Sequence, residues 1–181
     1  LNLILQNVNR FEYIVNLFDG KTDEIGEAIG GVRSATDASI IRGQTSRFLE
    51  STPDHPGLLY CRSLSEYYAT EGSYQNIKQD YLASIKFAIE RYSISDGQIN
   101  EMIIYFLENI KKLEVNDVID CFDSSIKLLT IENQANLCDQ LLQSNSFSQD
   151  INDVIQANYF ELETTKLLNN IRMLKGEDIY G

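Results

Sequence analysis

Histidine is scarce in this chain, and its scarcity excludes several kinds of catalytic site. His55 is the one histidine among 181 residues. A serine or cysteine nucleophile activated by histidine would have to use it as the base. The paired Glu-x-x-His motifs of di-iron bundles and the H-E-x-x-H zinc motif each need more than one histidine, so neither can form. His55 lies between Pro53 and Pro56, where capping of a helix is the simpler role.

Cysteine and long apolar runs are also scarce. The 3 cysteines, Cys61, Cys121 and Cys138, form no C-x-x-C pair. An odd number of isolated cysteines favours buried thiols in a reducing, cytoplasmic compartment over a disulfide framework or a Cys3His zinc site. No run approaches the ~18 apolar residues of a membrane span. The segment Leu1–Leu5 is too short for a signal peptide. The initiator Met is missing, which fits a processed product or a segment of a larger protein, and we expect the second because the first residues look like helix interior.

Basic residues are outnumbered by acidic ones. The chain has 15 Lys and Arg against 27 Asp and Glu, a formal net charge of -12. Nucleic acids and anionic membranes are both bound through Lys and Arg, so we expect neither as a partner. Residues 113–181 hold twelve of the acidic side chains and only four of the basic ones. Such a surface fits an inhibitor or immunity-type protein that covers a basic site on its target.

What the sequence does have is a helical period. Apolar residues recur at three- and four-residue spacing from Leu1 to Leu174, broken by Gly, Pro, Ser, Thr and Asp. This pattern predicts an all-α fold of about eight helices in antiparallel hairpins, as a helical bundle or a short array. We expect a single domain over residues 1–181, with a possible sub-boundary at 51–57. The eight main predicted helices are 1–18, 35–50, 56–70, 74–92, 96–110, 118–129, 131–142 and 150–174, and one brief helix is predicted within the loop, at 23–29.

Polar residues before these helices predict where each begins. Ser34 with Asp37, and Ser95 with Gln98, match the capping box, in which two side chains satisfy the first backbone N–H groups. Single caps are predicted for four other helices. These caps are Asp54 or His55, then Ser73, Asn116 and Thr130.

The helix pair at residues 58–91 has the length and layout of a tetratricopeptide-type hairpin. With Cys61 aligned to the first aromatic position of that repeat, Leu64, Tyr68 and Tyr81 stand at matching places, and Ser84 supplies a small residue. The segment resembles that hairpin at half of its pattern, and no second copy follows at the repeat period. The choice between a bundle and an array therefore stays open. The departures from the pattern are Cys61, Ser65, Ile77 and Ile89.

Two further patterns suggest ligands, but each lacks a necessary part. Gly20-Lys21-Thr22 resembles the end of a phosphate-binding loop, but Val15 stands where that motif needs glycine, and a helix precedes it. An acidic ridge recurs every three residues, like the metal-holding aspartate-rich motifs of isoprenoid-processing helical enzymes. No second motif faces it, so a solvated helix face is the simpler interpretation. The ridge consists of Glu114, Asp117, Asp120 and Asp123.

The segment 30–47 combines three arginines with glycines and small hydroxyl residues. Small residues let a partner approach closely, and arginine binds carboxylate or phosphate through two hydrogen bonds. Pairing with local acids such as Asp37 and Glu50 is the alternative. Tyrosines also cluster at 67–92, where they suit either a binding surface or a packing edge. The candidate partner-binding residues are Arg33, Arg42, Arg47, Tyr67, Tyr68 and Tyr74.

These features favour a non-catalytic helical module that binds a protein partner or the rest of its parent polypeptide. We expect no catalytic residue, no metal and no cofactor. The acidic inhibitor is one alternative. The other is a helical ligand-binding or enzymatic bundle, with a pocket of arginines and carboxylates. That last hypothesis requires a cavity of several hundred Å³ with converging polar groups.

Overall fold

A computed structural model describes residues 8–18, 35–69 and 71–176 of the chain. Within these ranges the backbone forms eight α-helices and no strand, so the all-α prediction is confirmed. The brief helix predicted at 23–29, Arg33 and the Ser34 cap lie outside the described residues. The helices are α1 (Val8–Val15), α2 (Ala35–Ser51), α3 (Pro56–Tyr68), α4 (Tyr74–Arg91), α5 (Asp96–Asn109), α6 (Val115–Ile126), α7 (Ile131–Ser144) and α8 (Gln149–Leu174).

The chain divides into two compact units, Leu1–Leu128 and Leu129–Gly181. The division falls in the turn between α6 and α7, while the predicted sub-boundary at 51–57 lies where residues 52–55 join α2 to α3 inside the first unit. Whether the whole chain acts as a single domain stays a prediction. Among the described residues, no helix combines the length and the hydropathy of a membrane span.

The first unit is built around the α3–α4 hairpin. α3 packs against both α2 and α4, and α1 packs against α3 and α5. Aromatic rings fill the centre: the Tyr81 and Phe106 rings stack with centroids 3.8 Å apart, and Tyr60 meets Phe106 edge to face at 5.9 Å. The buried Tyr60 hydroxyl donates to the Met102 carbonyl at 2.7 Å, so this buried polar group has a hydrogen-bond partner.

Three of the predicted helix starts are confirmed. At α5 the Ser95 hydroxyl accepts from the Gln98 N–H at 3.2 Å, and the Gln98 side chain accepts from the Ser95 N–H at 3.0 Å. At α3 the His55 Nδ1 accepts from the Leu58 N–H at 3.2 Å. At α7 the Thr130 hydroxyl accepts from the Asn133 N–H. The polar residues before these helices therefore satisfy N–H groups that have no partner inside the helix.

Two predicted caps need correction. Asn116 is not a cap: α6 begins at Val115 with Glu114 before it, because the Glu114 carbonyl accepts from the N–H groups of Asp117 and Val118. Ser73 does precede α4, but its side chain makes no capping hydrogen bond. Its backbone N–H donates instead to the Glu66 carboxylate at 2.8 Å.

The three cysteines are buried, unbridged and located on separate helices, as predicted. Burial raises the pKa of the Cys121 thiol to about 11 and that of Cys138 to about 12. Burial also raises the pKa of Cys61 well above its usual value. The thiolate is the reactive form, and a raised pKa leaves little of it. These cysteines are therefore unreactive in the folded protein.

Candidate functional site

A cleft of 590 Å³ opens in the first unit between α2, α3, the turn at 71–73 and α4. We call it the polar cleft, because Gly43 is the one lining residue whose side chain is not polar. Two arginines and three carboxylates line it together with hydroxyl and amide side chains. The lining residues are Ser39, Arg42, Gly43, Ser46, Arg62, Glu66, Glu71, Ser73, Asn76, Gln79 and Asp80.

The register of α2 places its polar residues in the cleft. The buried residues Ala38, Ile41, Thr45 and Leu49 follow helical spacing and form the face that packs into the first unit. The adjacent positions then lie toward the cleft. Two apolar residues of α2 are exposed, Ile40 to 54% and Phe48 to 37%. Both lie beside the buried face rather than on it.

The first ion pair of the polar cleft joins α3 to α4. Arg62 donates to both carboxylate oxygens of Asp80, with Nε–Oδ2 and Nη2–Oδ1 distances of 2.7 and 2.8 Å. Asp80 is buried, and its hydrogen bond raises the pKa of Arg62 further above its usual value. A two-point contact of this kind fixes the plane of the guanidinium. The Arg62 Nη1 also lies 3.5 Å from the Ser46 hydroxyl on α2.

The second ion pair joins α2 to α3. Arg42 Nη1 donates to Glu66 Oε2 at 2.9 Å, while Glu66 Oε1 accepts from the Ser73 N–H at 2.8 Å and from the Asn76 amide at 3.4 Å. Burial alone would raise the pKa of the Glu66 carboxyl, but the bonds from Ser73 and Arg42 outweigh it and hold that pKa below its usual value. Glu66 therefore stays ionised and connects α2, α3 and the start of α4.

Gly72 allows the turn beneath this carboxylate to close. A Cβ atom at residue 72 would lie 2.0 Å from the Glu66 carbonyl oxygen and 3.1 Å from its carbonyl carbon. Both are backbone atoms, so the contact could be relieved only by moving the end of α3. The close approach brings the Ser73 N–H within reach of the Glu66 side chain.

The structure separates Arg42 from Arg47. Arg42 lines the polar cleft, Arg47 is exposed on α2 outside the lining, and Arg33 lies outside the described residues. Arg42 pairs with Glu66 on the next helix, whereas pairing with Asp37 or Glu50 was the alternative expected from the sequence. Arg42 and Arg47 therefore do not share one site.

The candidate tyrosines lie outside the cleft lining. Tyr67 and Tyr68 are half-buried at the end of α3, with ring centroids 4.7 Å apart. The Tyr68 hydroxyl donates to Asn109 at 3.1 Å, and the Tyr67 hydroxyl accepts from the Lys112 N–H at 3.1 Å. The structure therefore gives both of them packing and hydrogen-bonding partners within the first unit.

Tyr74 connects α4 to the acidic ridge on α6. Its hydroxyl donates to Asp120 Oδ2 at 2.6 Å, and Lys78 Nζ lies 2.8 Å from the same oxygen. Desolvation and the bond to Asp120 raise the pKa of Tyr74, while Lys78 and Tyr74 lower the pKa of Asp120. In the described part of the chain no group of three His, Cys, Asp or Glu residues is arranged to hold a metal ion.

The sequence did not identify Arg62, Glu66 and Asp80, which anchor the cleft. A usable signal was present, because Arg62 and Glu66 are the only charged residues of α3 and lie four positions apart. That spacing puts both on one helix face. Their actual partners come from other helices, and helical period alone does not show which helices pack together.

The chain was compared with protein-family models, with curated proteins and with solved structures, and it matches none of them. The function is therefore inferred from the chemistry of the polar cleft.

Proposed function

We propose that the chain is a non-catalytic helical module that binds a polar segment of a partner protein, or of its parent polypeptide, in the polar cleft. The observation that carries the proposal is the lining itself. Ten of its eleven residues have polar side chains, and its two arginines are already held in place by carboxylates. Groups held in this way offer donors and acceptors without further loss of side-chain freedom.

The charge of the cleft supports a polar peptide segment over a nucleic acid. Arg42 and Arg62 face Glu66, Asp80 and Glu71, so acidic groups slightly outnumber basic ones in the lining. A phosphate backbone would meet repulsion there. Peptide groups carry one N–H donor and one carbonyl acceptor each, and the lining offers both donors, on Arg42 and Arg62, and carboxylate acceptors.

The ligand-binding bundle is the second candidate, because the volume of the cleft falls in the range of small-molecule sites. Such sites are lined mainly by apolar and aromatic side chains, with a few polar groups that fix orientation. The polar cleft has the opposite composition, and for this reason we favour the protein partner. His55, the one histidine of the chain, caps α3 and does not line the cleft.

Affinity capture with two matched variants tests the proposal. Arg42→Gln alters the cleft, whereas Arg47→Gln makes the same chemical change on the exposed surface of the same helix. We expect a protein retained by the wild type and by Arg47→Gln to be lost from Arg42→Gln, at equal helicity by circular dichroism. A partner retained equally by both variants would contradict the proposal. A small polar ligand that raises the melting temperature of Arg47→Gln but not of Arg42→Gln would instead support the second candidate.

The cellular location proposed for the module is a reducing one, such as the cytoplasm. All three cysteines are unbridged and buried. Buried, separated thiols are usual where disulfides are kept reduced.

A further inference from the structure

The C-terminal half of α8 carries an apolar face that the second unit leaves uncovered. α8 has 26 residues and α7 has 14. At ~1.5 Å per residue, α8 is about 39 Å long and α7 about 21 Å, so the far half of α8 extends beyond its neighbour. Ile151 and Ile155 near the start of α8 are buried, while Phe160, Leu167 and Leu174 are 75%, 60% and 89% exposed.

Four of the six exposed apolar residues, Phe160, Leu167, Ile171 and Leu174, follow the spacing of a two-helix seam, while Leu168 and Met173 lie off it. From Phe160 onward the positions alternate by four and three residues, which is the repeat that keeps one side of a helix against a parallel or antiparallel partner. The positions, which we call the α8 seam, are Phe160, Thr164, Leu167, Ile171 and Leu174, with exposed Leu168 beside them. The stretch from Phe160 to Leu174 is close to the ~12–15 residues below which an isolated helix is marginal in water, so a covering partner would stabilise it.

The charges that flank the seam identify the partner. Glu161 follows Phe160 and Lys175 follows Leu174, so both lie on the same edge of the seam, one near each end. If two copies of α8 are related by a two-fold axis near Leu167, each Glu161 lies within about 3 Å, along the helix axis, of Lys175 in the other copy. The symmetry produces this opposite-charge pair twice.

The alternative orientation lacks these pairs. In a parallel arrangement the flanking positions bring Glu163 opposite Leu168, and Asn170 opposite Lys175. The other edge of the antiparallel arrangement places Glu163 near Asn170, so no like charges meet there. Only the antiparallel arrangement therefore places flanking residues of opposite charge, Glu161 and Lys175, opposite each other.

We propose that the α8 seam docks against the α8 seam of a second copy of this chain in an antiparallel pair. Phe160 of each copy packs against Leu174 of the other, and the two Leu167 side chains meet at the axis. A seam about 21 Å long is smaller than a standard interface of roughly 800 Å² per partner. The pair therefore dissociates on dilution rather than forming a permanent dimer.

Sedimentation equilibrium of the full chain over a range of concentrations tests the proposal. We expect the average mass to rise with concentration from that of one chain toward that of two. Glu161→Lys and Lys175→Glu should each weaken association about tenfold, since two attractive contacts become repulsive. The double exchange should restore association, because each contact is again between opposite charges.

The controls separate this pairing from other causes. Glu161 has neutral residues three and four positions away on both sides, so its exchange breaks no ion pair within α8. Arg172→Glu removes the other basic residue of the last turn and should leave association nearly unchanged. A mass of one chain at every concentration would overturn the proposal, and would mean that another part of the chain or a different protein covers the seam. A double exchange that does not restore association would overturn the antiparallel geometry.

Discussion

At the scale of single residues, the two glycines of the polar cleft region have opposite roles. Gly43 lies in the middle of α2 with no atom within 4 Å of the position of a Cβ, whereas a Cβ at Gly72 would overlap the Glu66 carbonyl. Gly43 therefore lowers the stability of α2 but leaves space in the cleft. Gly72 is required because the packing of the turn leaves no room for a Cβ.

Alanine at these two positions should change stability in opposite directions. Gly43→Ala should raise the free energy of unfolding by about 1 kcal/mol, because alanine favours the helix. Gly72→Ala should lower it by about 2 kcal/mol, because the backbone at the end of α3 must move. Urea unfolding followed by circular dichroism measures both. Equal effects of the two substitutions would contradict the packing described for Gly72.

Glu66 should make stability depend on pH in a defined direction. Its pKa is lower in the folded protein than the usual 4.5. As pH falls, the unfolded chain takes up the proton first, so the stabilisation is present above pH 4.5 and is lost as pH falls through the folded pKa. Glu66→Gln should cost about 2 kcal/mol at neutral pH and little in acid. A cost that does not change with pH, measured by urea unfolding, would exclude an ionised Glu66.

The three thiols should be unreactive until the protein unfolds. Their burial and raised pKa values leave almost no thiolate near pH 8. We expect slow alkylation in native buffer and complete, fast alkylation of all three in denaturant, measured by mass spectrometry. Rapid modification of one cysteine in the native protein would show that its helix is not packed as described.

At the scale of the helices, two serine caps provide a matched comparison. The Ser95 side chain completes a capping box at α5, while the Ser73 side chain makes no capping bond at α4. Ser95→Ala should therefore lower the free energy of unfolding by about 1 kcal/mol, and Ser73→Ala by a few tenths at most. Urea unfolding checks the pair, and an equal loss for both serines would contradict the cap assignments.

Local signals in the sequence predicted most of the helices but not all of their ends. The capping box at Ser95, the caps at His55 and Thr130, and the long final helix could be predicted because each depends on nearby residues. The start of α6 was missed, since backbone bonds to Glu114 replaced the side-chain cap expected from Asn116. An apolar residue next to the buried face, such as exposed Ile40 or Phe48, looks the same in the sequence as one on that face.

At the scale of the whole molecule, packing between helices decides what sequence patterns cannot. Arg42 could be proposed as a binding residue because its segment, residues 30–47, is rich in arginine, glycine and small hydroxyl residues. Its pairing with Glu66, however, depends on how α2 lies against α3. Arg62 and Asp80 are 18 positions apart and meet only because α3 and α4 form a hairpin. The division of the chain at Leu128 likewise follows from tertiary contacts.

The central claim is that the polar cleft holds a partner protein, and Gly43 allows the most direct test. Because a Cβ at residue 43 would meet no atom within 4 Å and Gly43 lines the cleft, Gly43→Gln should extend into the cleft and obstruct a partner, and Gly43→Ala serves as the small control. Both substitutions favour the helix, so loss of binding cannot be attributed to unfolding.

We would measure capture of the partner from native lysate by quantitative mass spectrometry with all three proteins. We expect retention by the wild type and Gly43→Ala, with at least a tenfold loss for Gly43→Gln, on the order of 1.4 kcal/mol. Equal retention by Gly43→Gln would show that the partner binds elsewhere.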